Sequence, residues 1–193
     1  MADLAVNWRY RARLSLCVSI GAFGFVILLS GFWVPAKAQL AQFLLEKSWY
    51  YYKKTGEFRR PWPWADHHPV GQIEAPVQRV KQIFLENDRG SSLAFAPALN
   101  QHSGKAGSAL IISGHRDTHF RFLKFLKIND PIVIDFPSKR KIFKVVGSQV
   151  IDSRIKKLSP ERFPGGLILV TCYPFDAPAA GGALRYVVFS LPI

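Results

Sequence analysis

Leu167-Ile168-Leu169-Val170-Thr171-Cys172-Tyr173-Pro174 reads as a buried strand that ends on a thiol. The apolar run is continuous and short, and β-branched residues contribute to it. That pattern suits a strand covered on both faces. Pro174 cannot donate to a ladder, so the strand stops before it. A cysteine held at the end of a buried strand is rigidly placed and faces a pocket, which is what a nucleophile needs.

The next strand toward the C-terminus is Leu184–Leu191, which reads Leu-Arg-Tyr-Val-Val-Phe-Ser-Leu. Alternation puts Arg185 on one face with Val187, Phe189 and Leu191. A guanidinium on an otherwise apolar face is costly unless it meets an anion. An Ala- and Gly-rich turn joins the two strands. If they pair antiparallel, Cys172 and Arg185 lie side by side, and Arg185 is placed to bind a substrate carbonyl or an oxyanion.

Toward the N-terminus, Ala109–Ser113 is a further apolar strand, followed by Gly114 and His115. Histidine is the natural partner of a thiol that is only a few per cent ionised near neutral pH. An adjacent imidazolium raises the thiolate fraction. The same ring can return a proton to a leaving amine.

From residue 70 onward, runs rich in Val, Ile and Phe alternate with Gly, Pro, Asn and Asp. This is the pattern of an all-β domain. The expected strands are Gln78–Val80, Gln82–Leu85, Ala109–Ser113, Ile132–Asp135, Lys141–Ile151, Leu167–Cys172 and Leu184–Leu191, with a short helix over Phe120–Leu126. Turns are expected at Gly104, Gly107, Gly165-Gly166 and Gly181-Gly182. A small closed barrel of about eight strands accommodates them and removes exposed edges.

The N-terminal part has a different character. Leu14–Val34 carries no charged residue over 21 positions. About 20 apolar residues span a hydrocarbon core as a helix, and Trp33 suits the interface. Ala36-Lys37-Ala38 resembles a signal-peptide cleavage site, but the apolar run exceeds a signal core. The reading is an uncleaved anchor with the N-terminus cytoplasmic, on the strength of Arg9, Arg11 and Arg13. Residues 35–55 continue as a helix that Gly56 stops. Pro61 and Pro63 make 56–69 an extended linker whose tryptophans pack back on the domain.

Most of the formal net charge of +13 follows the span. Beside a membrane, that charge favours anionic lipid. The absence of a basic run argues against nucleic acid. Of the two cysteines, Cys17 lies in the span, so Cys172 is left as an unpaired thiol. His67 and His68 are adjacent with no ligand cluster, so no metal is expected. His119 reads as structural.

The segments Ser-Gly-His-Arg-Asp-Thr-His-Phe (113–120), Leu-Val-Thr-Cys-Tyr-Pro-Phe-Asp (169–176) and Leu-Arg-Tyr-Val (184–187) resemble the His, Cys and Arg motifs of sortases. With the linker Arg-Pro-Trp-Pro-Trp-Ala-Asp (60–66), they look most like the Gram-negative subgroup, class GN. The resemblance implies an all-β, eight-stranded sortase barrel with short helices behind a transmembrane helix. It divides the chain into a cytoplasmic N-terminus (1–13), an anchor (14–34), a juxtamembrane helix and Pro/Trp linker (35–69) and a catalytic barrel (70–193). The whole would sit in the inner membrane as a single-pass protein with its barrel on the periplasmic side.

It also implies an activity without cofactor. Cys172 would cleave a C-terminal sorting signal of a partner protein through a thioester, between Thr and Gly in many family members. An amine acceptor would then resolve the thioester. His115 would be the acid and base, and Arg185 the clamp. Thr171 and the Tyr173 N–H are candidates for the oxyanion hole, and Asp117 or Asp176 for orienting His115. The rival readings are a purely hydrolytic Cys peptidase of the same fold and an anchored, non-catalytic binding module. A Cys peptidoglycan transpeptidase lacks support, since no His-Gly-Cys cluster surrounds Cys172.

Overall fold

The computed structural model describes residues 2–88, 92–100, 103, 107–177 and 181–193. The turn expected at Gly104 lies outside them. The chain divides into two units, Met1–Lys37 and Ala38–Ile193.

The longest element is α1, Ala2–Thr55. In the first unit, the described apolar side chains of the uncharged run are open, with Leu16, Ile20, Phe23 and Trp33 each more than half exposed. Among the described residues, which omit several side chains of that run, no helix is long and apolar enough to cross a membrane.

In the second unit, α1 ends where Gly56 takes φ 74° and its N–H bonds Tyr52 O at 2.9 Å. Leu45 and Trp49 are fully buried and pack with Ile83, Leu85 and Ala98. Gln42 lies alongside and accepts from the Ile83 N–H at 3.0 Å. The linker divides in role. Trp62 packs on Phe95 with ring centroids 5.1 Å apart, whereas Trp64 is 80% exposed. His67 is buried and bonded to Ser92 Oγ at 3.0 Å, a structural post.

Eight strands follow: β1 Pro69–Ala75, β2 Val80–Leu85, β3 Ala98–Leu99, β4 Leu110–Ser113, β5 Pro131–Asp135, β6 Arg140–Asp152, β7 Leu167–Cys172 and β8 Leu184–Pro192. They close a barrel in the order β1-β2-β3-β4-β7-β8-β6-β5, with β5 pairing back on β1. Ile73, Ile112, Ile134, Phe143, Leu169 and Val188 fill its interior.

The expectation differs from the structure at three strands. Gln78–Val80 is not a strand of its own: Pro76–Arg79 is the β1–β2 turn, with Arg79 at φ 55°, and only Val80 belongs to β2. β1 itself was not anticipated, because Gly71 and the polar Gln72 and Glu74 interrupt its apolar run. Gly71 is needed there, since a Cβ would meet the Phe84 ring at 2.3 Å. β3 has two residues, below what any periodicity registers. The short helix near 120 is a 3-10 turn over Arg121–Phe125.

Candidate active site at the end of β4, β7 and β8

β4 and β7 run parallel, Ser113 opposite Val170. The Gly114 N–H then reaches Val170 O at 3.1 Å. His115 follows Gly114 directly, past the last paired residue of β4 and at the same end of the sheet as Cys172. On the other side β7 pairs antiparallel with β8, and Cys172 stands opposite Arg185. Neighbouring strands lie about 4.8 Å apart. Cys172 and Arg185 therefore stand level at the end of two adjacent strands, and His115 lies just past the same end of the third.

Cys172 and Arg185 also share a side of the wall. Leu167 and Leu169 point into the barrel, so Ile168, Val170 and Cys172 point outward. Val187 and Phe189 share that outer face with Arg185. The outer apolar patch of Ile111, Ile168, Val170, Val187 and Phe189 thus leads to Cys172. The thiol is free and partly exposed, and His115 is exposed.

Several contacts hold the constellation together. Thr171 is buried, and its Oγ1 donates to Gly114 O at 2.7 Å, tying the thiol strand to the histidine strand. Gly114 packs on Phe120, where a Cβ would come within 2.8 Å of the ring. The turn closes with the Phe120 N–H on His115 O at 2.8 Å.

Arg116 is buried. Its Nη1 donates to Pro174 O and its Nη2 to Ala177 O, both at 2.7 Å. It thereby binds the loop after Cys172 to the loop that carries His115. Tyr173, Phe175 and Tyr186 pack ring against ring beside this loop, the Phe175–Tyr186 centroids 5.2 Å apart.

The remaining candidates separate. The Tyr173 N–H donates to Leu184 O at 3.0 Å, continuing the β7–β8 ladder, so it is not presented to an oxyanion. Thr171 serves the strand link described above. Asp117 sits 3.2 Å from Arg116 Nε and is 63% exposed, so its partner is Arg116 and not His115. Asp176 is exposed and pairs with no cation among the described residues. No carboxylate among the described residues pairs with His115 or Arg185. The Arg185 Nη1 rests on Gly182 O and Leu184 O in its own turn.

His119, four residues past His115, is buried. Burial pushes its pKa down to about 4, and the nearby His115 acts in the same direction. Its Nε2 has no hydrogen-bond partner among the described residues. No group of three or more His, Cys, Asp or Glu able to hold a metal ion occurs among the described residues.

Arg116, Phe175 and Tyr186 were not singled out from sequence. Arg116 follows the histidine directly, and a charged residue in a turn reads as solvated. Only the fold shows it buried.

The closed barrel thus carries Cys172 and Arg185 opposite one another at the end of β7 and β8. Residues 72–193 match the Sortase domain family, and the chain belongs to that family. Its fold is similar to that of Sortase A from Corynebacterium diphtheriae, at 19% identity over 79% of this chain and 84% of that one, TM-score 0.55. It is similar to a Clostridium perfringens Sortase D5 transpeptidase, at 18% identity over 80% and 99%, TM-score 0.58. It is also similar to Sortase E1 from Streptomyces coelicolor, solved with a tripeptide in the active site, at 21% identity over 65% and 88%, TM-score 0.54. No curated protein matches the chain in sequence.

Proposed function

We propose that the protein is a membrane-anchored cysteine transpeptidase. It cleaves a C-terminal sorting signal of a partner protein and transfers the retained part to an amine. The single observation that carries this is the register of Cys172 against Arg185, with His115 two residues beyond the last β4–β7 pair.

The Cys172 thiolate attacks the scissile carbonyl carbon. The carbonyl oxygen gains the negative charge, and the guanidinium of Arg185 is the cation beside it. As the C–N bond breaks, protonated His115 gives its proton to the leaving amine. A thioester on Cys172 remains. The acceptor amine then adds to the thioester and loses its proton to His115, and the thiolate departs. With no carboxylate on His115 among the described residues, the site works as a Cys–His pair with a cationic clamp. The outer apolar patch offers the floor for the retained acyl half, because that half has to stay bound while the acceptor arrives.

The membrane reading rests on the uncharged Leu14–Val34 run and its open apolar side chains. Residues 1–13 are then cytoplasmic, and the barrel lies on the periplasmic side of the inner membrane. The class GN assignment rests on the Arg60–Asp66 linker and the motif at 113–120.

The test is to incubate the detergent-solubilised chain with peptides containing a Thr-Gly bond and with a primary amine. A ligated product supports the transpeptidase. Acid product alone supports a peptidase, and turnover by Cys172→Ala supports neither.

A further inference from the structure

A cavity of about 270 Å³ opens on the same outer face of the barrel as Cys172. Its floor is Ile168 and Phe189, with Phe163 stacked on Phe189 at 4.8 Å between centroids. Ile151, also in its lining, stands opposite Arg185, which stands opposite Cys172. Ile151 is thus level with the thiol but two strands away, roughly 10 Å at about 4.8 Å per strand, while Ile168 lies four residues down β7 from Cys172. At about 3.3 Å per residue the second separation is roughly 13 Å, so an extended substrate bonded to Cys172 reaches the cavity about three or four residues from the thiol.

The charged residues among its lining are all cations: Lys156, Lys157 and Arg162. None of the three pairs with a carboxylate among the described residues. The neighbouring Arg154 shows the contrast, because Asp152 Oδ2 engages it at 2.6 Å and withdraws it. The loop from β6 to β7 thus neutralises one of its cations and leaves three around an apolar floor.

Resting on the transpeptidase reading, we infer that Lys156, Lys157 and Arg162 select substrates with acidic side chains shortly before the scissile bond. The acyl half stays bonded to Cys172 through the thioester while the amine half departs, so the half assigned to the cavity is the one N-terminal to the cleaved bond. The acidic residues fall about three to six positions upstream of it. Exposed ion pairs contribute little each and weaken with salt. Three cations on one peptide segment act mainly on encounter and on discrimination against basic peptides.

The experiment uses the detergent-solubilised full chain and a randomised peptide library with a fixed Thr-Gly bond. Peptides captured as thioesters on Cys172 are released and sequenced. The expected result is enrichment of Asp and Glu over Lys and Arg in that window by roughly tenfold at about 50 mM salt, shrinking at about 500 mM. The triple variant Lys156→Gln, Lys157→Gln, Arg162→Gln loses the enrichment. Capture without acidic enrichment, or enrichment that salt and the triple substitution leave unchanged, overturns the inference and leaves the transpeptidase standing. No capture at all counts against the transpeptidase reading, and the inference falls with it.

Discussion

Arg116 holds two carbonyls of the loop after Cys172, and a buried charge with two such bonds is costly to remove. Arg116→Met is expected to lower stability by about 1.5–3 kcal/mol in urea denaturation. Arg116→Lys recovers only part, because an ammonium lacks the fork that spans both carbonyls. His119 gives a pH prediction. Its folded pKa of about 4 lies below the ordinary 6.5, so between these values the unfolded chain binds the extra proton. Stability is full above pH 6.5 and falls toward pH 4, by on the order of 3 kcal/mol from this residue. In His119→Gln that part of the acid slope disappears, which urea midpoints measured across this range will read. At this scale the sequence was informative for where Cys172 and Arg185 stand, opposite one another at the paired ends of β7 and β8. It was uninformative for Arg116, because burial of a turn residue depends on a loop 58 positions away.

The unit that aligns the site is the three-strand edge β4-β7-β8. Thr171 Oγ1 on Gly114 O is its buried cross-tie. Thr171→Val keeps the shape and leaves that carbonyl without this donor, at a cost of about 1–3 kcal/mol in thermal or urea melts. Gly114→Ala drives a methyl into the Phe120 ring. It should destabilise by about 1–3 kcal/mol and displace the turn that carries His115, so turnover falls with stability. Strands with unbroken apolar runs, β4 and β7, were legible because both faces are covered. β1 was not, because its Gly71 and polar positions serve the barrel's own packing and disguise the period. The β7–β8 pairing was readable only as a condition, since pairing depends on a turn whose geometry residue types do not set.

At the scale of the molecule, the second unit begins at Ala38, well before the barrel. Leu45 and Trp49 are fully buried against the barrel wall. A chain starting at residue 38 is expected to fold. One starting at residue 57 loses both side chains and should be less stable by several kcal/mol, since each large core side chain is worth about 2–5; paired thermal melts check this. The all-β class was legible from residue 70 onward, whereas the docking of a helix onto the wall was not, because its buried stripe resembles any amphipathic helix. The most direct measurement for the whole account is mass mapping of the covalent intermediate formed with Thr-Gly peptides by the wild type, His115→Ala and Arg185→Ala. A hydroxylamine-labile acyl group on Cys172 in the wild type, strongly reduced in both variants, is the predicted result. An acyl group on another residue, or one that forms equally well without His115 and Arg185, would contradict it.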